Sequence, residues 1–181
     1  MHEVARLGLE EACLVQSRVF ERLWERDSRA VPSYKVSLVT RTIQELYGTD
    51  EPALGVVPPQ HVVDSGSTLA LDDLFRPVIE PELVFVATRP LSAAAGVEEI
   101  LDACLVAPGF EVPDSRYAGW YPLPDGTVAD LVADGAFAEQ GRIVQAGSHI
   151  ASGTFADPVV VRAGTFRADY EGIGSVEVSF A

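Results

Sequence analysis

The chain has 181 residues, near the ~150 of a common single domain and long enough to bury a sizeable core. Its formal charge of −14, from 27 Asp and Glu against 13 Lys and Arg with no basic cluster to offset them, repels phosphate backbones and sets nucleic acid aside as a partner. Hydrophobic residues make up 48% of the chain, yet no run approaches the roughly 18 uninterrupted apolar residues of a membrane helix; the surplus apolar surface points to subunit contacts in a homo-oligomer.

The start, Met1-His2-Glu3-Val4-Ala5-Arg6, lacks the basic region, apolar centre and cleavage site of a secretory signal, and the expected location is the cytoplasm. From Leu9 onward Leu9, Ala12, Cys13, Phe20, Leu23 and Trp24 recur at three- and four-residue steps. Glu10, Glu11, Glu21, Arg22 and Arg26 fall elsewhere, as in an amphipathic packing helix, which Pro32 ends. Residues 1–33 are therefore expected to form a helical segment ahead of a β-rich unit over 34–181.

Tyr34 to Val39 reads as a strand with Lys35 on one face and Tyr34, Val36 and Leu38 on the other. Thr40 to Tyr47 predicts a short helix closed by Gly48-Thr49-Asp50-Glu51-Pro52. Between Ala53 and Leu74, apolar runs alternate with Pro58-Pro59, Asp64-Ser65-Gly66 and Asp72-Asp73, which predicts short strands and tight turns. His61 in this stretch reads as an exposed or structurally satisfied histidine, with an acid–base role as the alternative.

Ile79 to Val86 is strand-like and places Glu80 and Glu82 on one side, since strand side chains alternate faces. On a half-buried sheet such a pair either shares a proton or is neutralised by a cation. A cation needs a third hard ligand, and Glu111 is the candidate. Three carboxylates suit Mg²⁺ or Mn²⁺, hard ions that keep positions open for substrate or water. Taken alone, Glu-x-Glu more often describes a solvated strand face than a metal site.

Ser92 to Val106 predicts a helix, with Val97, Ile100, Leu101, Cys104 and Leu105 as one stripe and Glu98, Glu99 and Asp102 opposite, stopped by Pro108-Gly109. Glu111 would then open the next strand, beside Glu80 and Glu82 if the two strands are neighbours. Cys13 and Cys104 lie in apolar patterns and read as small buried hydrophobes, not a disulfide or a nucleophile. The end, from Ala151 through Val159-Val160-Val161 to Phe180, is strand, turn, strand, with Gly164, Gly172 and Gly174 as breakers. The expected class is α+β and β-rich, a mixed-sheet roll with an N-terminal packing helix.

The ordered series Pro77-Val78-Ile79-Glu80-Pro81-Glu82-Leu83-Val84-Phe85-Val86, Pro108-Gly109-Phe110-Glu111-Val112-Pro113-Asp114-Ser115-Arg116-Tyr117, Val132-Ala133-Asp134 and Gly172-Ile173-Gly174-Ser175-Val176-Glu177-Val178-Ser179-Phe180 resembles the fumarylacetoacetate hydrolase superfamily. Within it, the likeness is to the 2-keto-4-pentenoate hydratase and 4-oxalocrotonate decarboxylase branch, and it runs from Leu14 to Phe180. The resemblance implies the roll of that superfamily's C-terminal domain, Mg²⁺ or Mn²⁺ at Glu80, Glu82 and Glu111, and a small 2-oxo or 2-hydroxy dienoic acid as substrate. Lys35 stands in Lys35-Val36-Ser37-Leu38 where the family has Lys-Val-Gly-Leu, and the likeness makes it a catalytic and substrate-carboxylate contact. Asp134 carries over as catalytic, although the family's following Asn and Ser are Gly135 and Phe137 here. Arg116 is implied as support that orients the substrate, and Thr154, in the family's Ser/Thr-Gly loop, as a substrate contact.

Carbon–carbon hydrolases of the superfamily carry a His-Glu pair after the first strand; Thr40 to Glu45 contains no histidine. The resemblance therefore implies a hydratase adding water to a 2-hydroxy-2,4-dienoate or 2-keto-4-enoate in aromatic-compound catabolism. Decarboxylation, acylpyruvate-type hydrolysis and a non-catalytic homologue are the alternatives. Against the family, Ala138-Glu139-Gln140-Gly141 and Gly147-Ser148-His149 jump across sheet and helix material, so residues are expected to be absent near 139–148.

Overall fold

A computed structural model describes residues 8–24, 31–92, 94–115 and 144–181; the side chains of Leu9, Phe20, Leu23 and Trp24, and the expected junction at Ala138 to Gly141, fall outside the described residues. The described elements are α1 (Leu9–Trp24), β1 (Ser33–Ser37), α2 (Arg41–Tyr47), β2 (Ala53–Val57), β3 (Thr68–Leu69), β4 (Val78–Ala87), α3 (Val97–Ala103), β5 (Cys104–Glu111), β6 (His149–Ala151), β7 (Val159–Val160), β8 (Gly164–Tyr170) and β9 (Gly174–Phe180). None of the described helices is long and apolar enough to cross a membrane.

β4 is the strand on which the rest is assembled. It pairs antiparallel with β5 on one side and with β6 and then β7 on the other, and the larger sheet runs β2-β1-β6-β4-β5. β1 and β6 are parallel, which makes the sheet mixed. A smaller sheet, β3-β9-β8, carries the β8–β9 hairpin, whose turn uses Gly172 and Gly174 at φ 76° and 140°, conformations that an L side chain rarely adopts. The expected β-rich roll, with α1 preceding it, is what forms.

Alternation along β4 separates a dry face from a chemical one. Ile79, 2% exposed, meets Val161, Val178 and Phe180, with Leu69, Phe110 and Phe166 packed around them; the rings of Phe166 and Phe180 stand edge to face at 5.6 Å. Burying side chains of this size contributes roughly 1.5–3 kcal/mol each. Tyr34, Val56 and Ile150 continue an apolar face across β1, β2 and β6. Phe85 pairs with Ile150, so the odd-numbered residues of β4 share that face and the even-numbered Glu80, Glu82 and Val84 turn the other way.

Two expectations shift. The predicted helix over Ser92 to Val106 is only Val97–Ala103; Cys104 and Leu105 belong to β5, and Val97, Leu101 and Leu105 are exposed. Pro108 gives the reason. A helix continued past it would lose an N–H bond and clash at the carbonyl four residues back, whereas an edge strand tolerates proline. Pro108 pairs with Leu83, whose carbonyl accepts from the Ser152 N–H on the β6 side, so the missing donor of Pro108 faces the outer edge. The strand expected over Tyr34 to Val39 ends at Ser37, because Leu38 takes a left-handed backbone with φ 56°. The chain around Gly147-Ser148-His149 is a tight hydrogen-bonded turn into β6, with the Ser148 N–H donating to Gln145 and the Gly147 N–H to Ala87.

Gly109 is a packing requirement. It stands opposite Glu82, and a Cβ placed there would lie 2.2 Å from Val84 Cγ2. Gly109→Ala is expected to destabilise the fold by about 1–3 kcal/mol in urea denaturation. Val84→Ala in the same chain should recover part of that loss, and strict additivity of the two changes would contradict the clash.

Candidate metal centre

The β4–β5 register brings the acidic side chains together. Glu80 and Glu111 are direct cross-strand partners, and Glu82, two residues along β4, lies opposite the bare Gly109, on the same face. One carboxylate oxygen from each lies within 4.8 Å of the other two, and Glu82 is only 1% exposed. Lys35 joins by the same rule of alternation. It pairs with Ala151, which pairs with Val84, so all three share the face of the carboxylates, and the Lys35 ammonium donates to Glu111 Oε1 at 2.6 Å.

Pro81 shapes the remaining wall. In a strand a residue's N–H and C=O point to the same side, and the Pro81 carbonyl faces the β6–β7 segment, where it accepts from the Thr154 hydroxyl at 3.2 Å. With no N–H to offer, Pro81 interrupts the ladder there. The segment leaves β4 after Ser152 and returns at Val159, and in between the Gly153 N–H turns inward to donate to Glu82 Oε2 at 3.0 Å.

Burial, then Glu111, raise the Glu80 carboxyl to about 7 against the opposing pull of Lys35. Burial, then Glu111, lift Glu82 to about 8, with the Gly153 N–H opposing, and with Glu80 and a hydrogen bond between the Glu82 and Glu111 carboxyls adding to the rise. One lysine thus meets three acids. Glu82 Oε1 is buried and accepts no hydrogen bond among the described residues. Among the described residues, a buried carboxylate oxygen that accepts no hydrogen bond lies beside two further carboxylates, and this set of hard oxygens fits a small divalent cation.

The expected residues fall into three groups. Glu80, Glu82, Glu111 and Lys35 converge on one centre. Thr154 lies at its margin, with its hydroxyl against the Pro81 and Ala156 carbonyls, and Ala156 N–H donating back to it. Arg116 and Asp134, with Gly135 and Phe137, lie outside the described residues. Asp114 has a backbone role, accepting from the N–H groups of Phe75, Arg76 and Ser115, and His61 is exposed on a one-turn helix.

Two contributors had no direct signal in the sequence reading. Gly153 acts through its amide; the glycine was visible, its partner was not. Tyr170 reaches from β8 to donate its hydroxyl to the Gly109 carbonyl at 2.9 Å, and its ring meets Phe155 edge to face at 6.0 Å. Burial is the main reason its phenol is raised above the usual value, and the neighbouring Glu82 charge adds to this.

No protein-family model matches the chain. In sequence it is similar to 2-keto-4-pentenoate hydratase 2 of Dechloromonas aromatica (strain RCB), at 26% identity over 75% of this chain and 53% of that protein. It is similar too to 2-hydroxypent-2,4-dienoate hydratase of Pseudomonas putida, at 28% over 72% of this chain and 60% of that protein. The 2-keto-4-pentenoate hydratase of Paraburkholderia xenovorans (strain LB400) matches at 29% over 72% of this chain and 49% of that protein. The chain therefore spans 49–60% of the length of these relatives.

The backbone superposes on 4-oxalocrotonate decarboxylase from Pseudomonas putida G7, complexed with magnesium and adipate, with TM-score 0.83 at 20% identity, covering 97% of this chain and 87% of that one. It also superposes on 5-carboxymethyl-2-hydroxymuconate delta-isomerase from Mycobacterium smegmatis, with TM-score 0.60 at 16% identity, covering 83% of this chain and 78% of that one. The fold is that of the fumarylacetoacetate hydrolase-like proteins. Within that class, the similarity falls on the 2-keto-4-pentenoate hydratase and 4-oxalocrotonate decarboxylase branch that the motifs resemble.

The raised carboxyls fix the sign of a pH dependence. Their folded values lie above the ordinary 4.5, so the stability they contribute to the metal-free protein is complete below about pH 4.5 and is lost as pH rises through about 7 to 8. Added Mg²⁺ or Mn²⁺ is expected to raise the melting temperature more at about pH 8.5 than at about pH 5.5, and Glu82→Gln should flatten the difference. An equal metal response at both pH values would contradict the coupling.

Proposed function

We propose that this chain is a divalent-metal-dependent hydratase, a lyase adding water to a 2-hydroxy-2,4-dienoate or its 2-keto-4-enoate tautomer in aromatic-compound catabolism. The observation that carries it is the convergence of Glu80, Glu82 and Glu111 around the unpartnered Glu82 Oε1, in a chain similar to named hydratases. Glu80, Glu82 and Glu111 would hold Mg²⁺ or Mn²⁺, which would supply a Lewis acid for the substrate's 2-oxygen. Lys35, already on the face of the cluster, turns its ammonium to the substrate carboxylate and fixes the acid end of the molecule. The 152–158 segment is tied to β4 through Gly153 and Thr154, and Thr154 contacts the substrate from there. Arg116 and Asp134 take the supporting and catalytic roles that the resemblance implies. The protein works in the cytoplasm as a homo-oligomer.

Decarboxylation is the second reading, supported by the superposition on 4-oxalocrotonate decarboxylase. A 2-oxo acid held by the same residues would release CO₂ instead of accepting water.

Ultraviolet absorbance of 2-hydroxypenta-2,4-dienoate is expected to fall when protein and Mg²⁺ or Mn²⁺ are present and to persist with chelator, with the water adduct as product. Release of CO₂ from a 2-oxo-hexenedioate would favour decarboxylation. Glu82→Ala should lower metal-dependent turnover by about 100-fold or more while the folded circular-dichroism spectrum remains. Turnover indifferent to chelator and to Glu82→Ala would contradict the assignment.

A further inference from the structure

Leu38 is the one described non-glycine residue with positive φ, at 56°. Such a backbone is uncommon for a bulky side chain, and a glycine would reach it without strain. Here it is held from two directions. The leucine side chain is buried at 9% exposure, and Gln44, itself buried on α2, donates its Nε2 to the Leu38 carbonyl at 2.7 Å. The conformation is over-determined, as strained positions that persist must be.

The bend sets Val39 against Gly153. A Cβ on Gly153 would lie 2.5 Å from Val39 Cγ1, 3.1 Å from Val39 Cγ2 and 3.2 Å from the Val36 carbonyl, and Gly153 itself has φ 89°. Both the left-handed backbone and the close approach of β1's end exclude a side chain there. Gly153 in turn spends its N–H on Glu82 Oε2. An unbroken series of contacts leads from Gln44 through Leu38, Val39 and Gly153 to the carboxylate.

We propose that Gln44, Leu38 and Val39 form a positioning strap for Glu82. By pressing the chain at the end of β1 onto Gly153, the strap fixes the amide that ties down Glu82 Oε2 and leaves Oε1 as the oxygen that would meet a cation. This inference rests on the metal-site reading of the three carboxylates. The three strap residues act on the cluster through Gly153. The left-handed turn is retained at Leu38 because its product is a fixed ligand orientation, which a looser connection between β1 and α2 would not provide.

The test is Mn²⁺ binding to the purified full chain, read from the electron paramagnetic resonance of free and bound ion, alongside the melting temperature of the metal-free protein. Gln44→Leu keeps the volume and removes the donor; Val39→Ala removes the methyl groups that press on Gly153. Both are expected to weaken Mn²⁺ binding about 10-fold and to broaden the bound-ion spectrum. Val39 is partly exposed, so its variant folds even if Gln44→Leu does not. Folded Val39→Ala protein that binds Mn²⁺ as tightly as the parent, with the same spectrum, would overturn the strap. If the parent chain binds no Mn²⁺ while remaining folded, the metal-site reading itself fails, and the strap falls with it.

Discussion

The constraint on which this structure depends is the mutual repulsion of acids taken out of water. Glu80, Glu82 and Glu111 sit on one half-dry sheet face, where water screens them poorly and each charge makes the next more costly. Lys35 neutralises one of them. The rest is met by protons, which is why Glu80 and Glu82 are raised to about 7 and 8, or by a cation of higher charge. Protons and a cation compete for the same oxygens, so a hard ion binds such a site in exchange for protons.

Much of the architecture follows from delivering those groups. The antiparallel register puts Glu111 across from Glu80, and the absent side chain at Gly109 leaves room for Val84 on the same face. The absent donor at Pro81 opens the ladder where the 152–158 segment must turn its Gly153 amide inward. Behind the sheet, Ile79 packs with Val178 and Phe180, so Glu80 and Glu82 project from a strand anchored in the core on its other face. The strained Leu38 and the Tyr170 hydroxyl bear on the β4 rungs around Glu82 from opposite directions.

Part of this was legible in the residues. Two-residue alternation is local, so Glu80 and Glu82 sharing a face could be read directly, and the order of acidic motifs placed Glu111 with them. The short α2 helix and its Gly48 end were equally local. The limits of α3 were not, because Cys104 and Leu105 fit a helical stripe as well as a strand, and the eight-rung ladder with β4 decides between them. Lys35 pairing with Glu111, the Gly153 amide and the reach of Tyr170 depend on how far the sheet curls and how the second sheet docks on it. Those are properties of the assembled roll, and no spacing along the chain encodes them.

The most direct test is diffraction from crystals grown with Mn²⁺ near pH 8, using the ion's anomalous signal. The account predicts one strong peak among the three glutamates, with an oxygen of each at about 2.1 Å and the Lys35 ammonium excluded from the ion's coordination sphere. A cluster that stays closed on Lys35 and its own protons, with Mn²⁺ absent or bound elsewhere, would contradict it.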